Sequence, residues 1–211
     1  MENVYEAPAH TAESEYSEKK SVFLGHLFPV ENETDAKARV EEMKKKYADA
    51  RHNVWAYYLP DGTKRVSDDG EPAGTGGAPV LDAMVRRGIC GCVIVVTRYF
   101  GGILLGAGGL VHAYSTAASD ALDACGRVSV REFAECEVRC AYGQYGALSR
   151  LLEKYKGRQL GTEYAEDVAV RFLIAPEVLE DFARALRDQS GGTLAPTKLG
   201  VRAVREEMQK K

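Results

Sequence analysis

The sequence lacks any long apolar run. Its uninterrupted apolar stretches, such as residues 93–96 and 103–105, fall far short of the roughly 20 residues that cross a bilayer. Its first residues also lack the basic and apolar regions of a secretory signal. We therefore expect no membrane partner and a cytoplasmic location.

An excess of charge of one sign is also missing. The 28 Lys and Arg residues face 31 Asp and Glu residues, so the formal net charge is only −3. Such a chain attracts polyanions weakly at long range, which disfavours a protein that coats DNA, and we expect no specific DNA partner. With 45% hydrophobic and 28% charged residues, the composition is that of a folded globular protein.

The five cysteines form no disulfide framework, because their number is odd and their spacing is not that of a small stapled scaffold. Cys90 with Cys92 and Cys136 with Cys140 suggest a metal site at first sight. Both pairs fall in strand-like stretches without a nearby histidine, and their spacings are not those of zinc sites. We expect buried thiols, and neither a metal nor a cofactor.

Hydrophobic periodicity predicts an α+β protein of two domains. It indicates strands at residues 22–30, 53–59 and 92–97. It indicates helices at residues 33–48 and 80–87, and a third helix that runs from the glycine-rich segment to Cys125. The first twenty residues are interpreted as a loosely held polar arm. From about residue 128 the order becomes βαββαβ, which is typical of a ferredoxin-like fold. A boundary near residues 129–133 gives domains of 1–130 and 131–211, with net charges of −4 and +1.

Two glycine-rich segments interrupt this pattern. Residues 67–79 predict a long loop, and loops of that length inside a compact domain are often functional. The segment after Arg98 joins a strand to a helix, so its backbone amides and the positive end of the helix dipole suit an anion, with Arg98 as a further donor. Equally, the glycines serve close packing of the loop on the sheet. The segment matches neither a dinucleotide-binding fingerprint nor a Walker loop.

The acidic and histidine side chains also leave alternatives open. Asp68, Asp69 and Glu71 lie beside Thr75 and suit a magnesium ion held together with a phosphate. Alternatively, Asp68 and Asp69 cap turn amides or pair with Arg98 or Arg51. His52 and His112 are the best-placed groups for acid–base chemistry, or they are hydrogen-bonded packing residues. No serine or cysteine has the surroundings of a nucleophile.

The two long motifs identify the chain as similar to the IMPACT/YigZ family. The first motif comprises Ser67, Asp68, Asp69, Gly70, Glu71, Pro72, Gly74 and Thr75. The second comprises Arg98, Tyr99, Phe100, Gly101, Gly102, Ile103, Leu105, Gly106, Gly108, Gly109 and Leu110. Lys20 with Phe23 and residues 49–52 match the same family pattern. The resemblance covers nearly the whole chain.

The resemblance implies a fold and a role. It implies an N-terminal domain similar to a ribosomal-protein domain and to domain IV of elongation factor G, and a ferredoxin-like C-terminal domain similar to domain V of that factor. Eukaryotic members regulate translation under amino-acid stress, and for the short bacterial members RNA or ribosome binding is the usual proposal. A basic residue is common in the bacterial pattern where this chain has Val22, Ala78 and His112.

The resulting hypothesis is a non-catalytic, translation-associated factor. Its expected partner is RNA, the ribosome or a translation-related protein. The anion contacts are expected from Lys20, Arg51, His52, Arg98, Tyr99, Gly101, Gly102, Gly106, Gly108, Gly109 and His112, beside the acidic motif loop. Two alternatives are a metal-assisted enzyme that acts on a small phosphorylated substrate and a protein-interaction module.

Overall fold

The computed structural model describes residues 4–207. These residues form two compact units, which consist mainly of Tyr5–Ser129 and Val130–Glu206. The strands are β1 (Val4–Pro8), β2 (Ala12–Glu18), β3 (Ser21–Pro29), β4 (His52–Tyr58), β5 (Lys64–Ser67), β6 (Cys92–Tyr99), β7 (Arg127–Cys140), β8 (Arg158–Tyr164), β9 (Val168–Ile174) and β10 (Thr197–Glu207). The helices are α1 (Glu33–Lys46), α2 (Gly77–Arg87), α3 (Gly106–Ala124), α4 (Tyr142–Lys154) and α5 (Pro176–Gln189).

None of these five helices combines the length and the apolarity that crossing a bilayer requires. The outermost residues of the predicted domains, 1–3 and 208–211, lie outside the described range.

The N-terminal unit is built on an antiparallel sheet with the strand order β2-β3-β6-β4-β5. The central strand β6 is buried on both faces, as its β-branched run predicts. Helices α2 and α3 cover one face through the apolar cluster around Phe23, Ile94 and Tyr114. Helix α1 covers the other face through Val40 and Met43. The end of β6 therefore emerges from a rigid, two-sided core.

Helix α3 packs unusually close to the sheet. Its buried face is rich in alanine, and the carbonyl oxygen of Ala117 accepts a 2.7 Å hydrogen bond from the Ser14 hydroxyl of β2. At Gly25 of β3, a β-carbon would lie only 2.9 Å from that carbonyl oxygen. The small residues on both elements thus fix the helix, and its N-terminus, against the sheet.

The predicted polar arm is wrong, because the structure shows that its residues form strands β1 and β2. Strand β2 pairs with β3 along its whole length, from Ala12 opposite Leu27 to Glu18 opposite Ser21. Its core-facing positions include Ser14, a polar residue that bonds to the α3 backbone instead of to water. A period-2 apolar pattern was therefore absent from the sequence. Strand β5 was also missed, since only one of its four residues is apolar.

The C-terminal unit has the predicted order βαββαβ. Strands β7, β8, β9 and β10 are arranged in the order β10-β7-β9-β8. Helices α4 and α5 cover one face through a core that includes Leu148, Leu152 and Phe182 against Val138 and Phe172. The interleaved order of the strands is that of a ferredoxin-like fold, and the α+β class is confirmed.

All five cysteines are free and buried. Burial raises the pKa of the Cys90 thiol to about 11 and also raises the pKa of the Cys92 thiol. A thiol in this state is a poor nucleophile and a poor metal ligand, because both roles need the thiolate. The cysteines are packing residues of the two cores.

Candidate functional site

The motif segments meet at an open pocket of about 400 Å³ in the N-terminal unit. The pocket lies where β6 ends, the glycine-rich loop runs over the surface and α3 begins. Its lining consists of Arg51, His52, Glu71, Pro72, Arg98, Phe100, Leu104, Leu105, Gly106, Ala107 and Leu110. The volume is within the range of small-molecule sites, and the pocket is the candidate functional site.

The N-terminus of α3 opens into this pocket without a cap. The residue before the helix is Leu105, which offers no side-chain acceptor, and the first turn contains no acidic residue. Gly106 begins the helix with φ of 72°, a conformation that favours glycine. The first-turn amides and the positive end of the helix dipole are therefore available to an anion.

Arg98 is a structural cation rather than a free phosphate ligand. Its Nη1 donates a 2.6 Å hydrogen bond to Glu71 Oε1, and the Tyr114 hydroxyl donates to the same oxygen at 2.8 Å. The side chains of Arg98 and Glu71 are only 7% and 3% exposed. A buried carboxylate that holds both groups joins the acidic motif loop, β6 and α3 beneath the pocket.

Asp68 organises the acidic motif loop as a helix cap. Its carboxylate accepts hydrogen bonds from the backbone amides of Gly74, Gly76 and Gly77 at 2.8, 3.0 and 2.8 Å. These amides lie at the N-terminus of α2. Burial pushes the pKa of Asp68 upward, but the three amide hydrogen bonds outweigh it and hold the pKa below its usual value.

Replacing Asp68 by asparagine is expected to lower the free energy of unfolding by about 1–2 kcal/mol at neutral pH, because the cap loses its charge. A lowered folded-state pKa stabilises the fold above the unfolded value of about 3.9, and this contribution disappears as the pH falls through the folded value. Urea unfolding from pH 7 downward should show a constant gap between wild type and D68N that narrows below about pH 4. An undiminished gap at acid pH would contradict the assignment.

Asp69 forms contacts through both its carboxylate and its backbone carbonyl. Its carboxylate accepts from the Asn53 amide at 2.7 Å and pairs with the Lys44 ammonium at 3.0 Å. Its carbonyl oxygen lies 2.8 Å from His52 Nδ1, so that nitrogen carries a proton and donates it to the carbonyl oxygen. Within residues 4–207, no three His, Cys, Asp or Glu side chains are grouped to hold a metal ion. Instead of grouping around a metal ion, the three acidic residues of the motif each contact other groups of the protein.

Gly101 places the glycine-rich loop against the β2–β3 turn. A β-carbon at this position would overlap the backbone of Lys20 and Ser21, so only glycine fits. The Gly101 amide donates a 3.2 Å hydrogen bond to the Ser21 hydroxyl. Lys20 itself is exposed, with φ of 67°, and lies beside the loop.

The remaining predicted residues hold the loops or lie away from the pocket. Tyr99 donates to Asp49, Thr75 donates to the Pro72 carbonyl, and the Ser67 hydroxyl accepts from the Asp69 amide. Gly70, Gly74 and Gly102 have positive φ, whereas Gly108 and Gly109 lie in the first turn of α3. His112 is exposed, packs edge-on against Tyr16 and is not part of the pocket lining.

Sequence reasoning missed the apolar wall of the pocket. Phe100 is 45% exposed and Leu104 is 83% exposed, although both are large hydrophobic residues. The only signal in the sequence was their position inside a glycine-rich loop, where hydrophobic residues have no helix or strand in which to be buried. The pocket thus combines an apolar wall, an exposed arginine and an open helix N-terminus.

The comparisons with known proteins agree with this organisation. The pattern of the Impact N-terminal domain matches residues 19–122, and that of a domain of unknown function (DUF1949) matches residues 138–193. The IMPACT family member YigZ of Escherichia coli is 36% identical over 180 residues, which cover 83% of this chain and 88% of that protein. Protein IMPACT of Homo sapiens is 34% identical over 97 residues, 43% of this chain and 30% of that protein. A crystal structure described as that of a hypothetical protein matches with a TM-score of 0.68 and 32% identity, over 95% of this chain and 98% of that one.

The chain therefore belongs to the IMPACT family, with an Impact N-terminal domain followed by a DUF1949 domain. The pocket lies within the Impact N-terminal domain, since its lining residues fall between 51 and 110. The human relative matches only part of this chain, so the likeness to it concerns that part alone.

Proposed function

We propose that the protein is a non-catalytic, translation-associated factor whose N-terminal unit binds RNA, in the ribosome or free, at this pocket. The observation that carries the proposal is the uncapped N-terminus of α3 in the floor of a concave site. Helix N-termini bind phosphate through their free amides and their dipole. A phosphate of an RNA backbone is such an anion.

Arg51 supplies the mobile cation of the site. Its side chain lines the pocket, it is exposed, and within residues 4–207 it has no carboxylate or hydrogen-bond partner. Arg98 differs, since Glu71 neutralises it. The proposal therefore assigns the phosphate contact to Arg51 and the α3 amides, with Lys20 at the neighbouring turn as an additional contact along the strand.

Two arginines of the C-terminal sheet are already paired. Arg171 pairs with Glu137 at 3.0 Å and Arg202 pairs with Glu135 at 3.0 Å, and the two carboxylates are largely buried beneath the half-exposed guanidinium groups. Binding RNA there would compete with existing ion pairs. The N-terminal pocket is the better primary site for this reason.

Replacing Arg51 by alanine should weaken sedimentation with ribosomes, and binding to single-stranded RNA, because one phosphate contact is lost. For a single strand, the slope of log K against log salt concentration should fall in magnitude by about 0.7. Arg86→Ala is the matched control, since that arginine is 75% exposed and outside the pocket. Equal binding of wild type and R51A across a salt series would reject the proposal.

A protein-interaction module is the second candidate, and the exposure of Ile103 and Leu104 favours it. A docking protein would bury these side chains, and its affinity would depend on them and only slightly on salt. The pair of variants L104S and R51A separates the two functions. Ribosome association lost in L104S but retained in R51A would favour protein docking over RNA.

A further inference from the structure

The lining of the pocket combines two kinds of chemistry. Arg51 and the first turn of α3 suit a phosphate. Phe100 and Leu104, which have large exposed surfaces, suit an uncharged, flat group. A ligand that satisfies both has an anionic end and an aromatic end.

Phe100 lies against a buried cation although nearly half of its surface is exposed. The Arg98 guanidinium lies 5.5 Å from the centroid of the Phe100 ring and 5.5 Å from that of Phe23. Glu71 and Tyr114 fix that guanidinium in turn. A preorganised aromatic ring binds a stacking partner at a smaller entropic cost than a mobile one.

Arg98 also leaves one donor unused. Its side chain is 7% exposed and lines the pocket, yet its Nε has no hydrogen-bond partner within the described residues. A buried N–H without an acceptor is rare in folded proteins. A polar ligand atom seated beside Phe100 is the missing acceptor that this geometry calls for.

Gly108 is the third observation. Its φ is not positive, and a β-carbon at this position would meet nothing within 4 Å, so neither conformation nor packing requires glycine there. Glycine inside a helix is less stable than alanine. Because Cα–Cβ bonds tilt toward the helix N-terminus, a side chain at 108 would crowd the space in front of the first-turn amides.

We propose that this pocket binds a single nucleotide, either a free nucleoside 5′-monophosphate or the phosphorylated end of an RNA strand. The phosphate lies on the first turn of α3 beside Arg51, and the base stacks on Phe100 against Leu104. A pocket of about 400 Å³ suits a ligand of this size. The inference rests on the anion site of the proposed function and adds the base.

Calorimetric titration with AMP, ribose 5-phosphate and inorganic phosphate tests the base contact. AMP should bind about tenfold more tightly than ribose 5-phosphate, because stacking on an aromatic side chain is worth about that much. F100A should remove this difference without changing the affinity for ribose 5-phosphate, whereas R51A should weaken both. V85A is the matched control, since Val85 is 43% exposed against 45% for Phe100 and lies outside the pocket. Equal affinities for AMP and ribose 5-phosphate would overturn the inference.

G108A tests access to the helix amides. It should stabilise α3 and yet weaken AMP binding severalfold. G146A in α4 is the control, since a β-carbon there also meets nothing within 4 Å, and it should change stability alone. Unchanged AMP binding by G108A would contradict the role given to Gly108.

Two RNA probes separate the sources of the nucleotide. If a strand end is bound, 5′-phosphorylated hexaadenylate should bind with the same dependence on Phe100 as AMP, and the 5′-hydroxyl form should bind more weakly. If only AMP shows that dependence, the nucleotide is a free one. RNA binding that depends on Arg51 but not on Phe100 would reject this inference and retain the proposed function. AMP binding without any association with RNA or ribosomes would reject the proposed function and retain this inference.

Discussion

Replacing Glu71 by alanine is expected to lower the free energy of unfolding of the N-terminal unit by about 3–5 kcal/mol, because it leaves the Arg98 guanidinium buried without its carboxylate. The Tyr114 hydroxyl loses its acceptor in the same variant. Urea unfolding followed by the fluorescence of Trp55 measures the effect, since this single tryptophan lies in β4 of that unit.

An exposed ion pair provides the comparison. Arg86 and Asp82 of α2 lie 3.8 Å apart with both side chains mostly exposed, so D82A should cost well under about 1 kcal/mol. A loss in E71A as small as that in D82A would show that the Arg98–Glu71 pair does not hold the site together. The same reasoning makes R98A unsuitable as a binding test, because it damages the fold beneath the pocket.

Gly101→Ala is the second variant with a large expected effect. Its β-carbon would overlap the backbone of Lys20 and Ser21, so the glycine-rich loop or the β2–β3 turn has to move. Overpacking against backbone should cost about 3 kcal/mol or more in unfolding free energy, and the displaced loop should distort the pocket.

Gly102→Ala is the matched control for this prediction. Gly102 has φ of 85° but no atom within 4 Å of its β-carbon position. Alanine there would strain the backbone without overlapping another atom. The expected cost is only about 1 kcal/mol. Equal losses of unfolding free energy in G101A and G102A would mean that the close approach of Gly101 to the turn does not affect stability.

Much of the fold follows from local patterns in the sequence. The helix predicted at residues 33–48 is α1, where the Asp35 amide donates to Asn32 Oδ1 at 2.9 Å. The βαββαβ order predicted the C-terminal sheet because β7, β9, α4 and α5 each have a buried apolar face. Strand β2 escaped prediction, since Ser14 replaces an apolar residue on its inner face.

The partners in the candidate site were harder to predict. Sequence reasoning left Asp68 and Asp69 either capping turn amides or pairing with Arg98 or Arg51. The structure gives Asp68 three backbone amides, as the first alternative predicts, and pairs Arg98 with Glu71 instead. Lys44 of α1 also pairs with Asp69, although the two residues are 25 positions apart in the sequence. Neighbouring carboxylates in a loop are chemically alike, so only the three-dimensional path of the loop decides which of them meets which cation.

The glycines of the second motif were left between two roles, and the structure shows the packing role at one of them. Gly101 serves close packing, as one alternative proposed. Gly106 opens the helix into the pocket, as the anion-cradle alternative requires. A sequence pattern alone does not separate these uses, because glycine answers both needs by lacking a side chain.

The most direct test of the central claim is the amide spectrum of ¹⁵N-labelled protein titrated with a short single-stranded RNA. The largest shifts should fall on the amides of Gly106, Ala107 and Gly108 and on Arg51, because these groups meet the phosphate. The Gly77 amide, at a helix N-terminus that Asp68 already caps, should remain unchanged. Shifts confined to other parts of the chain, or none at all, would contradict RNA binding at this pocket.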